Sequence, residues 1–128
     1  MGTPRTLSIL GSTGSIGRSA LDVVARFPER FRVVGLAAGQ NVDLLEQQIR
    51  TFRPAVVAVA RPEAASELAA RLGREAPEIL VGTEGACAVA SLGEVEYVLA
   101  AIAGSAGMRP TAAAVRAGKV VGLANKES

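Results

Sequence analysis

Apolar and polar positions change period repeatedly along the chain, and each change predicts an element. Leu7-Ser8-Ile9-Leu10 is a short apolar run that predicts a strand. Over 15–27 the residues Ile16, Ala20, Leu21, Val24 and Phe27 recur at helical spacing, and Pro28 ends that helix. Residues 31–38 are apolar and β-branched, which predicts a buried strand. Gly39-Gln40-Asn41 closes it, with Asn41 placed to cap a helix carrying Leu44, Leu45, Ile49 and Phe52 as far as Pro54. A third strand is expected over 55–59. Pro62 opens the next helix and Gly73 closes it. A short strand over 78–81 and a helix over 83–92, weakened by Gly85, come next. The pattern ends with a strand over 97–103, a helix over 109–117 closed by Gly118, and a sixth strand over 120–123.

Strands separated by helix-length segments require crossover connections, hence a mainly parallel sheet. The unbroken apolar character of strands two, three, five and six predicts burial on both faces. The fold class is therefore α/β: a Rossmann-like, doubly wound sheet with helices on both faces. No linker or internal repeat divides the chain, and residues 1–128 are read as one dinucleotide-binding domain.

Composition narrows the picture without changing it. Hydrophobic residues make up 49% and aromatics only 3%, so the core must be built from Ala, Val, Leu and Ile. The net charge is +2 with the arginines scattered, which gives no basic run of the kind that binds nucleic acid. The longest apolar stretch, over 97–108, is interrupted by Gly104, Ser105 and Gly107 and is too short to span a bilayer. Met1-Gly2-Thr3-Pro4-Arg5 lacks the apolar core of a signal peptide, so a cytoplasmic protein is expected. Histidine is absent and Cys87 is the one cysteine, set among alanines; a buried, inert thiol is expected there. Zinc ligation, and nucleophilic pairs that need a histidine, are excluded for this chain.

The candidate chemistry lies between the first strand and the first helix. Gly11-Ser12-Thr13-Gly14-Ser15-Ile16-Gly17 is a GxxGxxG turn, a variant of the commoner GxGxxG. Glycines let backbone approach a pyrophosphate, and the free N–H groups of the first helical turn favour the anion. A plain strand-to-helix turn without a ligand remains the alternative on the triplet alone. A P-loop does not, because its first glycine would fall on Ser12 and no lysine follows Gly17. At the end of the second strand, where NAD-binding domains place a carboxylate for the ribose hydroxyls, this chain has Gly39-Gln40-Asn41. A neutral, amide-rich segment there removes repulsion of a 2′-phosphate and favours NADPH over NADH. Arg18 is near enough in sequence to assist, or is an exposed helix arginine.

The last strand runs into Asn125-Lys126-Glu127-Ser128, where an amide, an ammonium and a carboxylate follow one another. That is either a ligand-facing loop or a polar tail. This ending, with the 10–17 segment, Leu21-Asp22-Val23-Val24, Phe31-Arg32-Val33-Val34, Ala38-Gly39 with Asn41, and Ala101-Ile102-Ala103-Gly104, resembles the 1-deoxy-D-xylulose-5-phosphate reductoisomerase family along the whole chain. The resemblance implies an NADPH-dependent oxidoreductase of isoprenoid precursor biosynthesis. Such an enzyme rearranges and reduces 1-deoxy-D-xylulose 5-phosphate to 2-C-methyl-D-erythritol 4-phosphate with Mg or Mn, as a cytoplasmic bacterial homodimer.

Carried over by residue, the resemblance assigns Thr13, Gly14, Ser15 and Ile16 to the pyrophosphate turn and Gly39, Gln40 and Asn41 to the adenosine side. Asn125 and Glu127 fall to the nicotinamide half, and Lys126 to the phosphorylated sugar substrate. Family members often carry lysine or another residue at position 40, so Gln40 leaves the strength of 2′-phosphate recognition open, and the departure from the family is one of length. No carboxylate grouping for the metal is recognisable, and the metal ligands are expected downstream of Ser128. The chain thus reads as the family's N-terminal cofactor domain, inactive by itself. Two other readings stand beside it: the cofactor domain of a semialdehyde dehydrogenase type of reductase, which would need a cysteine nucleophile, and a non-catalytic dinucleotide-sensing module.

Overall fold

The computed structural model describes residues 3–102 and 104–123. Its elements run β1 (Arg5–Leu10), α1 (Ser15–Arg26), β2 (Phe31–Ala37), α2 (Val42–Phe52), β3 (Val56–Val59), α3 (Pro62–Leu72), β4 (Glu78–Val81), α4 (Gly82–Ala90), β5 (Tyr97–Ala100), α5 (Met108–Arg116) and β6 (Val120–Leu123). The six strands form one sheet in the order β4-β3-β2-β1-β5-β6, and every pairing is parallel. The expected doubly wound sheet is present. Strand order reverses between β1 and β5, which is where open α/β sheets form their ligand crevice.

Two apolar layers cover the sheet. On one face α1, α2 and α3 contribute Leu21, Leu45, Ile49 and Leu68 against Ile9, Leu36 and Val57. On the other, α4 and α5 contribute Val89 and Ala114 against Leu10, Val34 and Val98. Small aliphatics fill both layers, as the low aromatic content requires. A register shift opposite Leu7 and Ser8 puts both Val34 and Gly35 on the α4 side, and a Cβ on Gly35 would lie 2.7 Å from Ser8 Oγ. Ser8 Oγ donates to the Val89 carbonyl at 2.7 Å, which seats α4 on the middle of the sheet.

Four expectations need correction. Strand β5 stops at Ala100 instead of running to 103, because its partner β1 ends at Leu10 and Gly11 turns away with φ +87°. A short 3-10 turn over Gly104–Gly107 then leads into α5. Strand β6 is not buried on both faces: as the sheet edge it leaves Val120 and Leu123 exposed. Phe27 is likewise exposed, since it ends α1 beyond the apolar stripe, and the Arg30 guanidinium stacks 5.6 Å from its ring centre. Cys87, expected to be buried, is half-buried on α4.

Helix α3 is pinned to α2 by charge. The Arg71 guanidinium meets Asp43, Glu46 at 3.3 Å, and Glu67 of its own helix, while Arg50 meets Glu46 at 3.1 Å and Glu75 at 2.8 Å. The Arg71 pKa is raised above its ordinary value, chiefly by the hydrogen bond to Asp43, against a smaller opposing effect of desolvation. Among the described residues no helix is long and apolar enough to cross a membrane.

Candidate functional site

The turn between β1 and α1 is built by three glycines with three different environments. At Gly11, with φ +87°, an added Cβ would lie 2.6 Å from the Ala101 carbonyl oxygen, so the turn passes directly against the strand end of β5. At Gly17 it would lie 2.2 Å from the Gly11 carbonyl oxygen and 2.7 Å from Ser12 Cα, so helix α1 rests on the turn itself. Gly14 is different. It is exposed, has an extended backbone (φ −78°, ψ 172°), and its added Cβ would meet nothing closer than the Gly11 carbonyl at 3.6 Å. Two glycines are demanded by the fold; the middle one is not.

Around Gly14 the backbone donors are free. Gly11 and Ser12 N–H both donate to the Ala37 carbonyl, at 2.7 and 3.0 Å, which ties the turn to β2. The N–H groups of Thr13, Ser15, Ile16 and Gly17 have no partner among the described residues, and Gly14 supplies no side-chain cap for α1. No acidic residue sits in the first turn of α1. An uncapped helix start with free donors and no local carboxylate favours an anion by hydrogen bonding and by the helix dipole together.

Sequence reasoning missed the residue beneath this turn. Gln48, on α2 and almost wholly buried, donates from Nε2 to the Ser12 carbonyl at 2.8 Å. The signal was available, because Leu45, Gln48, Ile49 and Phe52 fall at i, i+3, i+4 and i+7, the inward stripe of the helix.

The adenosine-side segment stands at the mouth of the same crevice. Gly39, Gln40 and Asn41 are all exposed. Asn41 Oδ1 accepts from Leu44 N–H at 3.1 Å, as a cap should, which leaves its amide NH₂ free to donate outward. Across the carboxyl ends of the strands lies a cavity of about 300 Å³, with mainly apolar walls that include Gly11, Ala38, Gly39, Ala60, Thr83 and Ile102. Its size is that of a small-ligand pocket, and it adjoins both the glycine turn and the end of β2. Ser15 and Arg18 line a second, more polar groove between α1 and α2, and Arg18 forms no ion pair among the described residues.

The structure thus brings Thr13, Gly14, Ser15 and Ile16 onto one turn and Gly39, Gln40 and Asn41 onto the neighbouring strand end. Asn125, Lys126 and Glu127 lie outside the described residues. Among the described residues no group of three or more carboxylate or thiol side chains is placed to hold a metal ion. These residues do not fit a Mg or Mn site. They do fit a dinucleotide, since the turn that carries the free donors and the open glycine adjoins the apolar cavity at Gly11.

Comparison with known proteins agrees with this geometry. The family model for 1-deoxy-D-xylulose 5-phosphate reductoisomerase matches residues 7–128. The chain is 61% identical to the protein of that name from Anaeromyxobacter sp. (strain K) and 54% identical to that from Chlorobium phaeobacteroides, covering 97% of this chain and 32% of each relative. Among solved structures, a DOX-P reductoisomerase in complex with magnesium superposes with a TM-score of 0.91 at 39% identity, over 98% of this chain and 32% of that one. The Zymomonas mobilis enzyme in complex with NADPH superposes with a TM-score of 0.90 at 36% identity, over 96% and 32%. The chain therefore spans about a third of the length of the relatives it matches. With matches of this identity along almost all of its residues, the chain belongs to the 1-deoxy-D-xylulose 5-phosphate reductoisomerase family.

Proposed function

We propose that residues 1–128 form the NADPH-binding domain of an enzyme that rearranges and reduces 1-deoxy-D-xylulose 5-phosphate to 2-C-methyl-D-erythritol 4-phosphate. The observation that carries this reading is the set of free N–H groups on Thr13, Ser15, Ile16 and Gly17 around an exposed Gly14, at the strand-order reversal. Family membership supplies the reaction. NADPH, once bound, supplies the hydride. The chain's own residues bind and orient it: the turn takes the pyrophosphate, the apolar cavity takes the adenine, and Gly39, Gln40 and Asn41 receive the 2′-phosphate end through neutral donors. Asn125 and Glu127 are assigned to the nicotinamide half and Lys126 to the substrate, on the strength of the Asn-Lys-Glu-Ser string alone. The carboxylates that hold the metal are assigned to the further two-thirds of sequence that the relatives carry.

Calorimetric titration of the 128-residue chain tests the cofactor assignment. Saturable binding of NADPH, tighter than that of NADH, is expected. No binding of either nucleotide overturns it, and equal affinity for both overturns the role given to Gly39-Gln40-Asn41.

A further inference from the structure

Gln48 occupies a position where a polar side chain is costly. Among the described residues its Oε1 is buried without a hydrogen-bond partner, as is the Oγ of nearby Ser12, and a buried amide with half of its capacity unmet destabilises a fold. A leucine or methionine at that point of the inward stripe, between Leu45 and Phe52, would remove that unmet oxygen but leave the buried Ser12 carbonyl without its donor. The one side-chain bond it makes among the described residues runs to the Ser12 carbonyl, and since a carbonyl can only accept, the Nε2 end of the amide must face it.

That bond fixes more than one atom. The Ser12 carbonyl and the Thr13 N–H belong to the same planar trans peptide and point in opposite directions. With the carbonyl held down toward α2, the Thr13 N–H is turned away from the packed layer, and it has no partner among the described residues. Seven residues before Gln48 on the same side of α2 is Asn41, which caps that helix and follows the exposed Gly39 and Gln40. One rigid helix thus carries the adenosine-side segment at its start and the clamp on the glycine turn in its middle.

We propose that Gln48 is a positioning residue for the dinucleotide site: by holding the Ser12 carbonyl it aims the Thr13 N–H at the pyrophosphate, and through α2 it keeps that donor in register with Asn41. The proposal rests on the cofactor reading above and adds to it a residue that touches no ligand.

The test uses Gln48→Met, which keeps length and packing but has no donor, and Gln48→Glu, which keeps shape and replaces the donor by an acceptor. Each is titrated with NADPH and with adenosine 2′-monophosphate, which lacks the pyrophosphate, beside thermal unfolding and amide NMR of the unliganded chain. Gln48→Met is expected to stay folded with a modestly lowered unfolding temperature, because the buried Ser12 carbonyl loses its donor. It should bind NADPH about tenfold more weakly, the usual scale for one lost hydrogen bond near a charged group. Binding of adenosine 2′-monophosphate should be unchanged, and the Thr13 amide resonance should shift or broaden.

Unchanged NADPH affinity with an unchanged Thr13 resonance overturns the proposal, as does equal weakening of both ligands. Should Gln48→Met fail to fold, the same comparison in Gln48→Glu decides. If the parent chain binds no NADPH, the cofactor reading fails, while the Thr13 resonance still decides whether Gln48 sets the turn.

Discussion

Arg71 on α3 reaches across to Asp43 in the first turn of α2, two residues past Asn41. Asp43 is the carboxylate nearest in sequence to the neutral segment read as the receiver of a 2′-phosphate, and its side chain is 81% exposed. The guanidinium that also gathers Glu46 and Glu67 offsets that negative charge where it would repel the ligand.

Replacing Arg71 by Gln should therefore weaken NADPH binding more than NADH binding. At low ionic strength the selective loss should be about twofold to fivefold, fading as salt screens the exposed charges. Adding Asp43→Asn in the same chain should restore the affinity. Equal losses for both nucleotides, read by calorimetry at two salt concentrations, would show that Arg71 only braces the helices.

The three glycines of the turn should separate under mutation. Gly14→Val meets no protein atom closely and needs no special backbone angle, so unfolding should stay near the parent temperature while NADPH affinity falls at least about tenfold. Gly17→Ala drives a Cβ into the Gly11 carbonyl and should cost about 1–3 kcal/mol of stability, seen as a lowered denaturation midpoint. A Gly14→Val chain that binds NADPH normally would remove the turn from the site.

Asn41 has two roles that different substitutions pull apart. Asn41→Ala loses the bond to Leu44 N–H and should destabilise the chain by about 1 kcal/mol. Asn41→Asp keeps a capping oxygen but sets a carboxylate at the adenosine side, so stability should hold while preference moves from NADPH toward NADH. Fluorescence titration of both nucleotides against this variant checks the shift; retained NADPH preference would place the 2′-phosphate elsewhere.

The layout was legible in the sequence wherever local pattern and tertiary burial agree. Val56-Val57-Ala58-Val59 is apolar because β3 is covered on both faces, and Asn41 caps α2 because the backbone at that point leaves N–H groups free. The reading failed where burial depends on position in the sheet. Val120 and Leu123 are as apolar as residues of β2, but the sheet order puts them at an edge, which no local window reports. Residues 101–103 continue an apolar run, yet β5 cannot extend past the point where Gly11 takes β1 away.

The site was legible as a list of ligand-facing groups and not as a mechanism for holding them. Glycine spacing reports the turn. Gln48 lies between Gln47 and Ile49 and looks like another surface amide until the inward stripe is counted. That one glycine is open and two are jammed against backbone follows from contacts with Ala101 and Ser12, which spacing does not encode.

Strand order also governs when this site can come into being. Leu7 pairs with Tyr97 and Leu10 with Ala100, so the central seam of the sheet joins nearly opposite ends of the described chain. Contacts that distant are the slow ones to form, since the intervening loop must be closed before they are rewarded. During synthesis the half comprising β1 to β4 can assemble early, but the crevice waits for residues near 100 to leave the ribosome. Nucleotide capture therefore cannot precede closure of the seam between β1 and β5.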